Sequence, residues 1–192
     1  MKKINFIFVG PSKTASTWIY QALNESPDFS LPKTKDIYYF DQFYEKGDVW
    51  YEQQFKDCIS DKIIGEFSHD YLISEQALER IKSDCPDIKL IVCLRDPYER
   101  TESGIKFLQR NGYGFGKVKD LITRHTELIN GSLYGKNLKR LYQHFNKSNV
   151  LLLDYRKLSE NPSAFLMDIY NFFDVEYFEP SILKNKVNNF QE

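Results

Sequence analysis

Residues 5–18 read Asn5-Phe-Ile-Phe-Val-Gly-Pro-Ser-Lys-Thr-Ala-Ser-Thr-Trp18. Residues 5–9 form a short apolar run closed by a Gly-Pro-Ser turn, as a buried strand is, and the periodicity beyond the turn predicts a helix over residues 14–24. A strand, a tight loop and a helix in succession aim unpaired backbone N–H groups and the positive helix end at one point, where an anion belongs. Lys13 adds a cation inside the loop. Ser12, Thr14, Ser16 and Thr17 add hydroxyl donors, so the loop has the means to hold a phosphate and an adjoining anionic group. The plain alternative is an ordinary helix N-terminus with a solvated lysine.

Working outward, residues 63–67, 88–94 and 150–153 repeat the pattern of short apolar runs between breakers, as central parallel strands do. Helical periodicity occupies residues 74–83, 98–109, 118–129, 134–145 and 162–173. The alternation indicates an α/β fold, a parallel sheet flanked by helices on both faces. With 192 residues, one domain covering 1–192 is expected, since a chain of this size buries roughly 70% of its unfolded surface around one core. Gly112-Tyr-Gly-Phe-Gly116 reads as a loop.

The chain is 42% apolar and 28% charged, with a formal charge of −1. No global field draws nucleic acid or an anionic membrane, so neither is an expected partner and any anion site must be local. The apolar start, residues 4–9, is too short for a secretory core or a membrane span. Cys58, Cys85 and Cys93 form no CxxC pair, so a soluble protein of the reducing cytoplasm is expected. His69, His125 and His144 show no metal-ligand spacing, and no metal is expected. Oligomeric state has no signature in the sequence.

A second constellation is Lys89-Leu-Ile-Val-Cys-Leu-Arg-Asp-Pro-Tyr-Glu-Arg-Thr-Glu-Ser103. It puts Arg95 at a strand's C-terminal end, with Asp96 as N-cap and Pro97 at the first helical position. Ligands of open α/β sheets bind at that edge. Ser103 comes nearly two turns after Asp96, so Arg95 and Ser103 are able to share one phosphate. The alternative pairs Arg95 with Asp96 or Glu99 and leaves Ser103 solvated. Arg100 is expected in a helix-surface ion pair.

In a Walker A loop counted from Gly10, Ala15 would be the second glycine and Ser16 the lysine; Lys13 comes three positions early, which disfavours a Mg²⁺-dependent kinase. Lys13-Thr-Ala-Ser-Thr-Trp18 instead resembles the 5′-phosphosulfate loop of sulfotransferases, usually Lys-[Thr/Ser]-Gly-Thr-Thr, with Ala15 in place of the glycine. Arg95-Asp-Pro-Tyr-Glu-Arg-Thr-Glu-Ser103 resembles the same family's 3′-phosphate motif. The resemblance implies a P-loop NTPase-like fold and 3′-phosphoadenosine 5′-phosphosulfate (PAPS) as donor. It implies contacts from Ser12, Lys13, Thr14, Ala15, Ser16, Thr17, Trp18, Arg95 and Ser103, with Lys13 on the donor's bridging oxygen.

The acceptor, a small molecule or glycan offering a hydroxyl or amine, needs a base within reach. Lys35-Asp-Ile-Tyr-Tyr-Phe-Asp41, with Lys46-Gly-Asp-Val-Trp-Tyr51 after it, resembles a stretch of heparan sulfate sulfotransferases and their bacterial relatives, and implies Asp36 as that base; the alternative is a solvated carboxylate. Gly65-Glu-Phe-Ser-His-Asp-Tyr71 resembles another segment of these relatives and makes Glu66 a second candidate, or else a buried carboxylate held by loop N–H groups. Phe67 stands where many relatives have lysine, and His69 ranks third as base. Lys184 and Lys186-Val-Asn188 resemble a late basic loop that closes over the donor. The rival functions are a P-loop kinase and a catalytically silent module binding a nucleotide or sulfated glycan.

Overall fold

The computed structural model describes residues 4–113 and 116–184. The first apolar run forms β1 (Phe6–Gly10), buried throughout, and the loop after it feeds α1 (Ser16–Glu25). The other strands are β2 (Phe29–Ser30), β3 (Ile63–Phe67), β4 (Lys89–Leu94) and β5 (Val150–Asp154). All pair in parallel, in the order β2-β3-β1-β4-β5. Between and after them lie α2 (Gly47–Gln54), α3 (Glu75–Asp84), α4 (Pro97–Arg110), α5 (Val118–Arg124), α6 (Glu127–Asn130), α7 (Tyr134–His144), α8 (Tyr155–Glu160) and α9 (Pro162–Phe173). The described part of the chain thus has the expected α/β architecture. Among its residues no helix is long and apolar enough to cross a membrane.

Strand alternation divides the core into two layers. Phe6 and Phe8 of β1 pack with Phe67, with Trp18, Ile19 and Leu23 of α1, and with Phe165 and Ile169 of α9. Ile7 and Val9 point the other way, towards α3, α7 and the aromatic residues Tyr39, Phe40, Tyr51 and Phe55. Each fully buried apolar side chain of this kind contributes about 1.5–3 kcal/mol relative to exposure, which is why both faces of a parallel sheet must be covered. Gly65 pairs with Phe6 across the β1–β3 ladder. A Cβ there would lie 2.0 Å from the Phe6 ring, so only glycine fits.

Three elements lack a periodic signal. β2 has only two residues; α2 buries Tyr51 alone; α8 begins because Asp154 caps it, accepting from the Arg156 N–H at 2.9 Å. The helix expected over residues 118–129 is broken between α5 and α6. There Arg100 of α4 donates to the carbonyls of Glu127 and Leu128, drawing that turn towards α4. What the topology gives to function is its switch point. β3 and β4 flank β1 on opposite sides, so the carboxyl ends of these three strands open a crevice.

Candidate active site

The loop after β1 is held in an uncommon shape from several directions. Gly10 has φ 102°, and a Cβ on it would lie 2.7 Å from the Asp70 nitrogen, so the chain passes the end of β3 only as glycine. Lys13 (φ 64°) and Ala15 (φ 69°) both adopt the left-handed conformation. The Ser12 N–H donates to Asp70 Oδ1 at 3.3 Å, and the Ser12 carbonyl accepts from Arg100 at 3.3 Å. Ile19 N–H to Ala15 O, 2.9 Å, is the first bond of α1. The N–H groups of Ser16 and Thr17, ahead of that bond, therefore point out of the helix end.

Two loop residues differ from their expected contacts. Thr14 is fully buried and donates its hydroxyl to the Pro11 carbonyl at 2.6 Å, so that hydroxyl braces the loop from inside. The Trp18 ring is buried against Phe165, with centroids 6.0 Å apart, so it faces the core and not the loop mouth. Ser16 and Thr17 keep their hydroxyls at the mouth, where both accept from Lys35 Nζ, at 3.3 and 3.2 Å.

Positive charge gathers around this helix end. Lys13 is half-buried, its Nζ 4.4 Å from the centre of the Phe107 ring on α4. Burial, and then the charges of Arg110, Lys35 and Arg95, lower its pKa from the ordinary lysine value. Arg95, just past β4, lies 4.4 Å above the Tyr155 ring and reaches Glu99 Oε2 at 3.3 Å. Asp96 instead caps α4, accepting from the N–H groups of Tyr98 (2.9 Å) and Glu99 (3.0 Å), with Pro97 as the first helical residue. Arg100, Ser103 and Phe107 recur at helical spacing on one face of α4. The outer two touch the loop, which puts the half-buried Ser103 on the same side.

Arg100 is no surface residue. It is fully buried, donating through Nε to Ser132 Oγ at 2.8 Å and through its terminal nitrogens to the carbonyls of Ser12, Glu127 and Leu128. Its place is structural: a guanidinium fork ties α4 to the loop and to α6.

The carboxylate candidates separate cleanly. Glu66 is wholly buried, and its two oxygens accept from Tyr51, Ser68 (2.6 Å) and Tyr71 (2.7 Å). Burial raises its pKa despite those donors. It is a buried carboxylate, satisfied by side-chain hydroxyls where the sequence suggested loop N–H groups. Asp36 is half-exposed at the end of β3, its N–H bonded to the Phe67 carbonyl at 2.7 Å. Burial alone would raise its pKa, but His69, with Nδ1 2.9 Å from Asp36 Oδ1, and Lys35, 3.4 Å from Oδ2, hold it below the usual carboxylate value. With Nδ1–H donating to Asp36, Nε2 accepts from the Tyr38 hydroxyl at 2.7 Å. Phe67 is core, stacked on Phe8 and met edge-on by Tyr20.

Two residues of this site, Lys35 and Asp41, were not singled out from the sequence, although they bound the stretch that carries Asp36. Asp41 has a buried Oδ1 without a hydrogen-bond partner among the described residues, and burial pushes its pKa up to about 6. Residues 114–115 and 186–188, in the glycine-rich loop and the late basic segment, lie outside the described residues.

Residues 3–191 match the model of the sulfotransferase domain family. This chain belongs to that family. Its relatives include the membrane-associated sulfotransferase kil1 of Dictyostelium discoideum, 33% identical over 56% of this chain and 24% of that protein. They also include the bifunctional heparan sulfate N-deacetylase/N-sulfotransferase 4 of Mus musculus, 28% identical over 88% of this chain and 22% of that one. The chain spans about a quarter of the length of these two relatives. Among solved structures, the sulfotransferase from Alicyclobacillus acidocaldarius shares the fold, with TM-score 0.84, 20% identity, and coverage of 94% of this chain and 85% of that one.

Proposed function

We propose that this sulfotransferase transfers a sulfuryl group from PAPS to a hydroxyl or amine, with a carbohydrate as the favoured acceptor class. One observation carries the reading: Lys35 Nζ meets the Ser16 and Thr17 hydroxyls of the first turn of α1 at 3.3 and 3.2 Å, beside a half-buried Lys13 whose charge is disfavoured by burial and then by Arg110, Lys35 and Arg95. The loop carboxylates nearby have partners of their own, Asp70 the Ser12 N–H, Asp96 the α4 cap and Asp36 both His69 and Lys35. Such a pocket is at its most stable with a multiply charged anion inside. PAPS carries anionic groups at both ends of its ribose. Its phosphosulfate suits residues 15–18, Ser16 and Thr17, with Lys13 on the leaving oxygen, and its 3′-phosphate suits Arg95 and Ser103, Arg95 exchanging Glu99 for phosphate.

In the transfer, the acceptor oxygen bonds to sulfur while the bond from sulfur to the bridging oxygen breaks. The electron pair leaves with adenosine 3′,5′-bisphosphate, whose new charge Lys13 neutralises. The acceptor's proton passes to the Asp36–His69 pair, in which Asp36 orients the imidazole that takes it or accepts the proton itself. The carbohydrate preference rests on relatives such as the heparan sulfate enzyme.

The test is an acceptor panel of saccharides, alcohols, phenols and amines incubated with PAPS and followed by mass spectrometry. A sulfated product is expected, and Lys13→Ala should lower kcat by about 10²–10³-fold. Firm bisphosphate binding with no product across the panel would favour the silent binding module.

A further inference from the structure

We infer that Lys35 is a catalytic residue of this transfer, the cation that contacts the sulfuryl oxygens between donor and acceptor; the inference rests on the PAPS reading above. Residues 35 and 36 are fixed to the end of β3 by the Asp36 N–H to Phe67 O bond, 2.7 Å. From there Lys35 Nζ reaches three groups at once: Ser16 Oγ at 3.3 Å, Thr17 Oγ1 at 3.2 Å and Asp36 Oδ2 at 3.4 Å. It therefore bridges the first turn of α1, where the leaving phosphate lies, and the Asp36–His69 pair, where the attacking oxygen loses its proton.

An ammonium can only donate, so Ser16 and Thr17 accept from it and their own hydroxyl hydrogens are left to point elsewhere. The three groups then form one donor surface, facing whatever anion occupies the helix end. In an in-line displacement, sulfur lies between the attacking and leaving oxygens. Lys13 approaches that line from the α4 side, resting over Phe107. Lys35 approaches it from the β3 side. On that side, among the described residues, Phe67 is packed into the core and His69 is engaged by Asp36 and Tyr38, which leaves Lys35 as the ammonium that reaches the helix end. As the bond between sulfur and the bridging oxygen breaks, its electron pair goes to the bisphosphate under Lys13, the acceptor proton goes to Asp36–His69, and Lys35 stays with the oxygens of the group in flight.

Adenosine 3′,5′-bisphosphate lacks the sulfuryl group, which gives a direct test. Lys35→Met, Lys35→Gln and Lys35→Arg are compared with wild type for kcat, for PAPS KM and for bisphosphate Kd by calorimetry, with folding checked by thermal melts. The neutral variants should lose about 100-fold in kcat while bisphosphate Kd changes less than about threefold, and Lys35→Arg should recover at least about a tenth of the rate. Two results overturn the inference: kcat within about threefold of wild type in a folded neutral variant, or bisphosphate affinity falling in step with kcat, which would make Lys35 a prop for the loop. Wild-type protein that neither binds the bisphosphate nor turns over would instead sink the donor reading itself.

Discussion

Asp36 and Glu66 show how surroundings set what a carboxylate does. Glu66 satisfies three hydroxyl donors in a dry core. Removing it leaves buried Tyr51 and Tyr71 hydroxyls without an acceptor, at about 1–3 kcal/mol for each unsatisfied group. Glu66→Ala should therefore cost at least about 2 kcal/mol in chemical denaturation, and Glu66→Gln distinctly less, with kcat of the folded fraction nearly unchanged. Asp36→Asn should do the opposite: keep the stability and lower kcat. It should also displace the acid limb of the rate profile, since the base must be unprotonated and the rate falls as pH falls through the titration of the Asp36–His69 pair. A Glu66→Gln protein that melts like wild type but turns over far more slowly would reverse the assignment.

Among the elements, the turn from β1 into α1 holds two non-glycine residues, Lys13 and Ala15, at positive φ. Ala15 sits at φ 69° in the left-handed region, which penalises an L side chain by about 1–2 kcal/mol. Ala15→Gly is expected to stabilise the protein by about 0.5–1 kcal/mol once glycine's larger unfolded-state entropy is subtracted, a gain read from the denaturation midpoint at unchanged m-value. A loss of similar size would mean that the bend is not imposed on the free loop. The strand, loop and helix of residues 5–24 and the run from Lys89 to Ser103 were legible in the sequence because their chemistry is local: the cap, the proline and the loop lysine all act within a few residues. Lys35, Asp41 and Arg100 were not, because each takes its meaning from segments distant in the chain. Lys35 meets Ser16 and Thr17 only once β3 has placed residue 36, and Arg100 reads as a surface residue until α6 folds over it. The inward turn of the Thr14 hydroxyl and the burial of Trp18 were hidden for a related reason, since a motif lists residue types and not the directions in which they point.

Across the sheet, a chain of net charge −1 still sets cations close together. The strand order puts β3 and β4 on either side of β1, so that Lys35, tied to the end of β3 through Asp36, and Arg95, just past β4, lie on opposite flanks of the loop that carries Lys13. The acidic side chains close to that loop are held by backbone donors or by His69. The most direct measurement is calorimetric titration of the wild type and of Arg95→Ala with adenosine 3′,5′-bisphosphate, and in parallel with ATP. The bisphosphate should bind the wild type at least about 10-fold more tightly than ATP, and Arg95→Ala should lose about 10- to 100-fold of that affinity, the worth of one charged phosphate contact. Equal affinity for the two nucleotides, or an Arg95→Ala protein that binds the bisphosphate as well as wild type does, would show that Lys13 and Arg95 do not serve one ligand.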